Sequence, residues 1–349
     1  MRRMTPEHDL NETPLLARKG CWLTFASVIP LLIGLFWVLE DQAGKRYLAK
    51  TKARLAEAGI ELDPAKALPD APPDEENFCA IPIMRQIGRG EETGPHIDAL
   101  KKLLEWNGYL SYSGTKYSSP ESYAATDWTA FCREIARRDP SAELPENPEN
   151  PATALAQAVE RIGGPVFAEL EAALDRPSAV FLPTMKEVFQ SPDWQSLPNW
   201  IPGYNRLLKV LLFRANLSLA SGRADQTLAN LRLLWKLSEA GYNQTSVVGG
   251  LMGITAATTA KHLLWQGLRE RHFQKEELDP LMRLLSSQSP LKQLPRAFTS
   301  EFIYQNRTWT HIRSDPGSAF LPTLNGGTPP PQWQRTLFGL IPAGWLDFN

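Results

Sequence analysis

An all-α fold is predicted by three observations. Apolar residues recur at helical spacing in long runs, clearest in Asn205–Ala220 and Ala224–Ala240. No alternating β-rich run of useful length occurs anywhere in the chain. Near the N-terminus, Cys21–Leu39 carries no charge and is apolar apart from Thr24, Ser27 and two backbone breakers, Pro30 and Gly34. The expected architecture is one N-terminal transmembrane helix followed by an irregular helical-repeat, α-solenoid-like body.

As a helix the Cys21–Leu39 run spans roughly 28 Å, close to the hydrocarbon thickness of a bilayer. A cleavable signal peptide has a shorter apolar core and small residues at its exit, whereas this run exits through Asp41-Gln42-Ala43. A pilin-type leader is suggested by Lys19-Gly20 but would need a glutamate where Phe25 stands. A retained anchor is therefore expected, with Trp22 and Trp37 near its two interfaces. Basic residues nearly balance across the run, so charge alone does not orient it. The Arg18-Lys19 pair abutting a short tail is the usual layout of a signal-anchor. Residues 1–20 are thus expected in the cytoplasm, and the body outside the inner membrane.

The 349 residues include 37 basic and 38 acidic ones, a net charge of −1, which supplies no basic face for nucleic acid. The basic stretch Lys45–Arg54 suits anionic headgroups or, more simply, a solvated helix face. Three cysteines do not make a disulfide framework; Cys79 and Cys132 would pair only in an oxidising compartment.

Along the chain, Gln42–Gly59 reads as a helix ended by its glycine, and residues 40–73 as a juxtamembrane helix with a proline-rich linker. The body is expected over 74–349, with Asp74-Glu75-Glu76 in the first turn of a helix. Pro95–Trp106 and Ser122–Arg138 read as helices, and Asp139–Pro151 as an exposed connector. Gly163-Gly164-Pro165 reads as a helix break, and Pro177–Pro202 as irregular chain that must bury Phe181, Phe189, Trp194 and Trp200. Ser221-Gly222-Arg223 separates two antiparallel helices, the second expected to end at a left-handed Gly241. Val247–Arg271, rich in Ala, Thr and Gly, is small enough for close helix contacts. Leu278–Ser287 and Leu291–Ile312 complete the set.

The hairpin over 205–240 resembles a tetratricopeptide-type unit, without a repeat at fixed period. Together the anchor, Pro73–Phe78, the hairpin Leu211–Leu237 and the terminal Pro342-Ala-Gly-Trp345 resemble a group of bacterial single-span proteins with no known activity. The resemblance covers most of the chain and implies an anchored helical protein without assigned catalytic residues. In that group the Pro-x-Gly-Trp element is followed by more chain. It therefore implies that this sequence, ending at Asn349, is truncated.

Chemistry-bearing motifs are scarce. There is no His-Glu-x-x-His, no Gly-x-Ser-x-Gly and no phosphate-cradling glycine loop. None of the five histidines (His8, His96, His262, His272, His311) has a metal-ligand spacing, so neither metal nor cofactor is expected. Glu301, among Phe298, Phe302, Ile303 and Trp309, would serve as a general acid or as a structural acceptor. The aromatic set Trp106, Tyr109, Tyr112, Tyr117, Tyr123 and Trp128 would form either a recognition surface or a small core under a loop. These features favour a membrane-anchored scaffold with a protein or envelope partner. The alternative is an anchored glycan hydrolase that brings Asp127 and Glu301 together in one aromatic cleft.

Overall fold

The computed structural model describes residues 15–109, 126–145, 147–191, 199–274, 279, 282–283 and 290–314. Within its helices the side chains of 15–27, 29, 290–294, 296, 309 and 311–314 lie outside that description. The described chain is helical, with a single isolated β-bridge between Asn77 and Ser178 and no strand among the described residues. It divides into two compact units, one formed by Met1–Glu61 with Gln305–Asn349, the other by Leu62–Tyr304.

In the first unit, α1 (Leu15–Glu57) runs unbroken for 43 residues through Pro30. The expected membrane segment and the expected juxtamembrane helix are therefore one helix. Its C-terminus closes as the glycine predicts. Gly59 takes φ +75°, its N–H donates to Ala56 O, and Ile60 N–H donates to Leu55 O, satisfying two terminal carbonyls. Among the described residues no helix is long and apolar enough to cross a membrane. Part of the Cys21–Leu39 run lies outside the side chains described.

The Leu62–Tyr304 unit begins inside the stretch expected to be a linker. Asp63 caps a four-residue helix, α2 (Pro64–Ala67), by accepting from Ala65 N–H at 3.0 Å. Leu68 is buried with Phe189 and Ile303. The prolines shape this segment, but its leucine packs into the unit. The acidic Asp74–Glu76 forms a 3-10 turn rather than an α-helical start. Asn77, wholly buried, then clamps it in place. Its amide donates to Val180 O (2.8 Å), and its Oδ1 accepts from Cys79 and Val180 N–H (3.0 and 2.9 Å).

The remaining helices are α3 (Pro82–Gly88), α4 (Pro95–Tyr109), α5 (Trp128–Arg138), α6 (Pro151–Ala172), α7 (Met185–Gln190), α8 (Ile201–Ala220), α9 (Ala224–Asn243), α10 (Val247–Arg269) and α11 (Pro290–Ser314). The unit boundary falls within α11. Helix α8 is the hub. It packs against α3, α4, α6, α9 and α10, and its apolar residues are buried all round, as befits a helix with no polar face. The hairpin α8–α9 is present, and Gly222 (φ +72°) makes its turn. A solenoid, by contrast, stacks each repeat only on its neighbours. Here α4 and α6, distant in sequence, cover α8 and close a single core, so a repeat stack describes only the α8–α10 run.

Two expected breaks are absent. Helix α6 continues through Gly163, Gly164 and Pro165. A Cβ on Gly163 would lie 2.5 Å from the Phe167 ring and 2.8 Å from Leu103 of α4, so the glycine is there for close packing. Gly241 is not a left-handed cap, since α9 runs on to Asn243. A Cβ there would sit 2.6 Å from Gly253 N of α10; the glycine lets two backbones touch. The close contacts expected of α10 are thus present, and Ser238 Oγ donates across them to Gly253 O (2.8 Å). The Tyr204 hydroxyl donates in the same region, with Leu237 O at 3.0 Å and Met252 O at 3.1 Å.

Phe181, Phe189 and Trp200 are buried as expected, with Phe181 stacked on Trp200 at 5.3 Å; Trp194 lies outside the described residues. The expected helix Leu278–Ser287 falls mostly outside them too. Cys79 and Cys132 are both buried and free, not paired.

Candidate functional site

Of the two readings of the aromatic set, the described members Trp106, Tyr109 and Trp128 fit the small core. Trp106 is 1 % exposed, and its indole N–H donates to Asp139 at 2.9 Å. Trp128 packs on the core and meets Phe131 edge to face at 6.0 Å. Phe131 in turn meets Phe213 of α8 at 5.9 Å. These two tryptophans are core wedges between α4, α5 and α8. Tyr109 is half-buried, with the Arg138 guanidinium 4.6 Å above its ring. Tyr112, Tyr117 and Tyr123 lie outside the described residues. Beside this cluster is a polar cleft of about 410 Å³ between α4 and Asp139, where charges of both signs neutralise one another. Burial pushes the Asp139 carboxyl up, but hydrogen bonds from Ser141, Trp106 and Lys102 outweigh it and hold the group below its usual value.

The two acids of the hydrolase reading are not brought together. Asp127 is the N-cap of α5, its Oδ1 accepting from Thr129 and Ala130 N–H at 3.0 Å each. Such a cap contributes about 1 kcal/mol to helix stability, which accounts for the residue structurally. Glu301 lies elsewhere, in a cleft that Asp127 does not line.

That cleft holds about 380 Å³ and is the better candidate site. Its walls come from distant parts of the Leu62–Tyr304 unit. Pro183, Met185 and Val188 approach from α7 and the turn before it. Trp200 and Ile201 come from the start of α8, and Val248 from the start of α10. Local chemistry fixes this geometry. Thr184 and Glu187 form a reciprocal capping box that starts α7, and Ser246 caps α10 by accepting from Gly249 N–H (2.9 Å). Between cleft-lining Gln244 and Ser246, Thr245 sits at φ +50°, a left-handed conformation that is strained for a β-branched residue.

The polar side of the cleft is α11, which presents Ser300, Glu301 and Tyr304. Ser300 is 1 % exposed, and its hydroxyl has no hydrogen-bond partner. An unsatisfied buried hydroxyl costs about 1–3 kcal/mol, so a group placed there for packing alone would be replaced by alanine at a gain. Among the described residues the lining has one acid, Glu301, and no Lys, Arg or His. The sequence singled out Glu301 but not Ser300, Gln244 or Ser246. The small and polar types of those three give no signal until the fold assembles them.

No three His, Cys, Asp or Glu side chains among the described residues are grouped to hold a metal ion. His96 instead faces Glu169 at 3.7 Å, and His272 faces Glu270 at 3.1 Å. No protein-family model matches the chain, and neither the curated proteins nor the solved structures contain a match to it, so its function rests on this geometry.

Proposed function

We propose that the chain is a membrane-tethered helical binding module of the cell envelope. In this reading Cys21–Leu39 lies in the inner membrane and the body on its extracytoplasmic side, where it engages a protein or envelope component. It is also the reading that the likeness to single-span bacterial proteins implies. The observation that carries it is the surface of α1. All nine described large apolar side chains from Val28 to Leu39 are exposed, Leu31 by 71 %, and they point in every direction around the helix. A coiled-coil partner would cover only one stripe of such a helix, whereas lipid covers it all. Leaving these side chains in water would forgo on the order of 10 kcal/mol of transfer free energy.

A binding role is supported by α10. Val248, Leu251, Ile254, Trp265 and Leu268 are exposed along it at helical spacing, and Trp265 is 68 % exposed. The hydrolase alternative has no comparable support, because its second acid is occupied as a helix cap.

The test is extraction of the full chain from membranes. It should resist alkaline carbonate and dissolve only in detergent, and protease added to spheroplasts should digest the body. Release by carbonate would remove the anchor. Protection of the body from protease would reverse its orientation.

A further inference from the structure

We infer that α10 pairs antiparallel with α10 of a second copy of the chain, about a two-fold axis passing between Thr255 and Thr258. The pairing rests on the binding role proposed above and names its partner. Three properties of the helix lead to it. The first is the width of what is exposed. Val248, Leu251, Thr255, Thr258, His262 and Trp265 are all exposed, at alternating steps of three and four residues. That is the repeat of about 3.5 residues that makes a single seam along a helix. Among the intervening residues Gly253, Ala256, Ala260 and Leu263 are buried, so the other faces of α10 belong to the core. One further helix covers such a stripe, whereas the apolar girth of α1 needs a cover all round.

The second is the order of sizes along the stripe. Bulky side chains stand at both ends, Val248 and Leu251 at one, His262 and Trp265 at the other, with two threonines between. The Thr255 hydroxyl donates back to Leu251 O (2.9 Å), so it is satisfied within its own helix and its methyl is left to pack. Two helices packed at an angle are closest at their crossing point and diverge from it. Small residues at the centre permit the approach, and bulky ones fill the widening gaps. The order reads alike from either end, as a two-fold pair requires, because each position then meets its counterpart on the partner. Val248 meets Trp265, Leu251 meets His262 and Thr255 meets Thr258.

The third is charge. Lys261 and Arg269 are the formally charged residues of α10, and both are basic and exposed. A parallel pair would set each against its own copy. Antiparallel pairing sets Lys261 beside Ile254 of the partner, where its methylenes cover an apolar side chain and its ammonium stays in water. The area suffices. The exposed apolar side chains of the helix, Trp265 foremost, offer on the order of 500 Å² per copy. Two copies bury about 1,000 Å², the lower end of specific interfaces, so association at micromolar concentration is expected.

The full chain, purified in nonionic detergent, is examined by sedimentation equilibrium at matched density, which reads the protein mass alone. At micromolar concentration it should be a dimer of 39.0 kDa chains. Trp265→Glu, at an exposed position, should weaken association at least about thirtyfold and give a monomer with an unchanged circular dichroism spectrum. Disulfide formation reads the register in a Cys21→Ser chain, which keeps only the buried Cys79 and Cys132. Leu251→Cys combined with His262→Cys should give a disulfide-linked dimer. Either substitution alone should not, because two copies of one position lie about 16 Å apart along the pair. A monomeric wild-type chain would overturn the inference, and a stripe that lies on lipid or serves a different protein would give that result. So would a dimer that survives Trp265→Glu, linkage through either single cysteine, or no linkage in the double variant. A monomer that resists carbonate leaves the anchor in place, so the two failures are told apart.

Discussion

Arg214 grips both carboxylate oxygens of Glu160, through Nε at 2.7 Å and Nη2 at 3.2 Å, in a fork-to-fork pair that joins α8 to α6. The same guanidinium donates through Nη1 to Glu171 (2.7 Å) and to Asn230 of α9 (3.1 Å), and lies 4.2 Å above the Phe167 ring. Glu160, Phe167 and Glu171 share a face of α6, since seven and eleven residues return close to the same side of a helix. One buried cation thus ties three helices together. Gln226 completes the network by donating to Glu160 at 2.7 Å.

Removing that cation while keeping its volume isolates its electrostatic share. Arg214→Met leaves two carboxylates without their partner. Both are about a third exposed and can partly regain water, so the loss falls below that of a fully buried pair. The expected cost is about 2–3 kcal/mol, or a fall in melting temperature of roughly 5–10 °C for a unit of this size. Glu160→Gln, which keeps a hydrogen-bond acceptor, should lose about 1 kcal/mol. Thermal unfolding followed by circular dichroism measures both, and equal losses would show that charge is not what matters.

Adjacent glycines in α6 should respond to alanine with opposite signs. A Cβ on Gly163 collides with Phe167 and Leu103, whereas Gly164 has nothing within 4 Å of its Cβ position. Gly163→Ala should therefore cost about 1–3 kcal/mol by overpacking. Gly164→Ala should gain about 0.5–1 kcal/mol from helix propensity and reduced freedom of the unfolded chain. Paired melting curves test this, and a shift of the same sign in both variants would refute the packing role of Gly163.

These glycines also show where sequence reasoning reaches its limit. Apolar spacing revealed α4, α8, α9 and α10, because helices that bury a wide face carry their period in the chain itself. Local chemistry marked the ends at Gly59 and Gly222 correctly. Gly163 and Gly241 present the same letter for a different reason, a tertiary contact with Leu103 or Gly253 that local sequence does not contain. Nothing in NRLLKVLLFRANLSLA distinguishes Arg214 from Arg206 and Lys209 as the charge that needs two carboxylates, because its partner Glu160 lies 54 residues away. The cleft was the least legible feature. Met185, Val248 and Ser300 come from three separate segments and acquire meaning only when packed together.

The two described thiols should be inert in the folded chain. Burial is the main force raising the Cys79 thiol well above its ordinary pKa, and Glu239 adds to it against an opposing effect of Lys236. Burial likewise raises Cys132 against the pull of Arg133. The thiolate is the reactive form, so both sites should resist alkylation at pH 8. Iodoacetamide labelling with peptide mass spectrometry should detect neither in the native protein and both after denaturation. Native labelling of Cys79 would mean that the Asn77 clamp opens readily.

Glu134 should titrate far below a free glutamate. Hydrogen bonds from Arg137 and then Arg138, on the last turn of α5, hold its carboxyl down at about 2, against an ordinary value near 4.5. A folded pKa below the unfolded one makes the group stabilising when ionised. Its contribution is fully present above about pH 4.5 and is lost as the pH falls through about 2. The site is exposed, so salt should screen the pairing and move the midpoint back toward 4.5. Carboxyl carbon NMR of glutamate-labelled protein, with Glu134→Gln for assignment, follows the midpoint directly. A midpoint near 4.5 at low salt would mean that the two arginines are drawn off into solvent and the end of α5 has no ionic clasp.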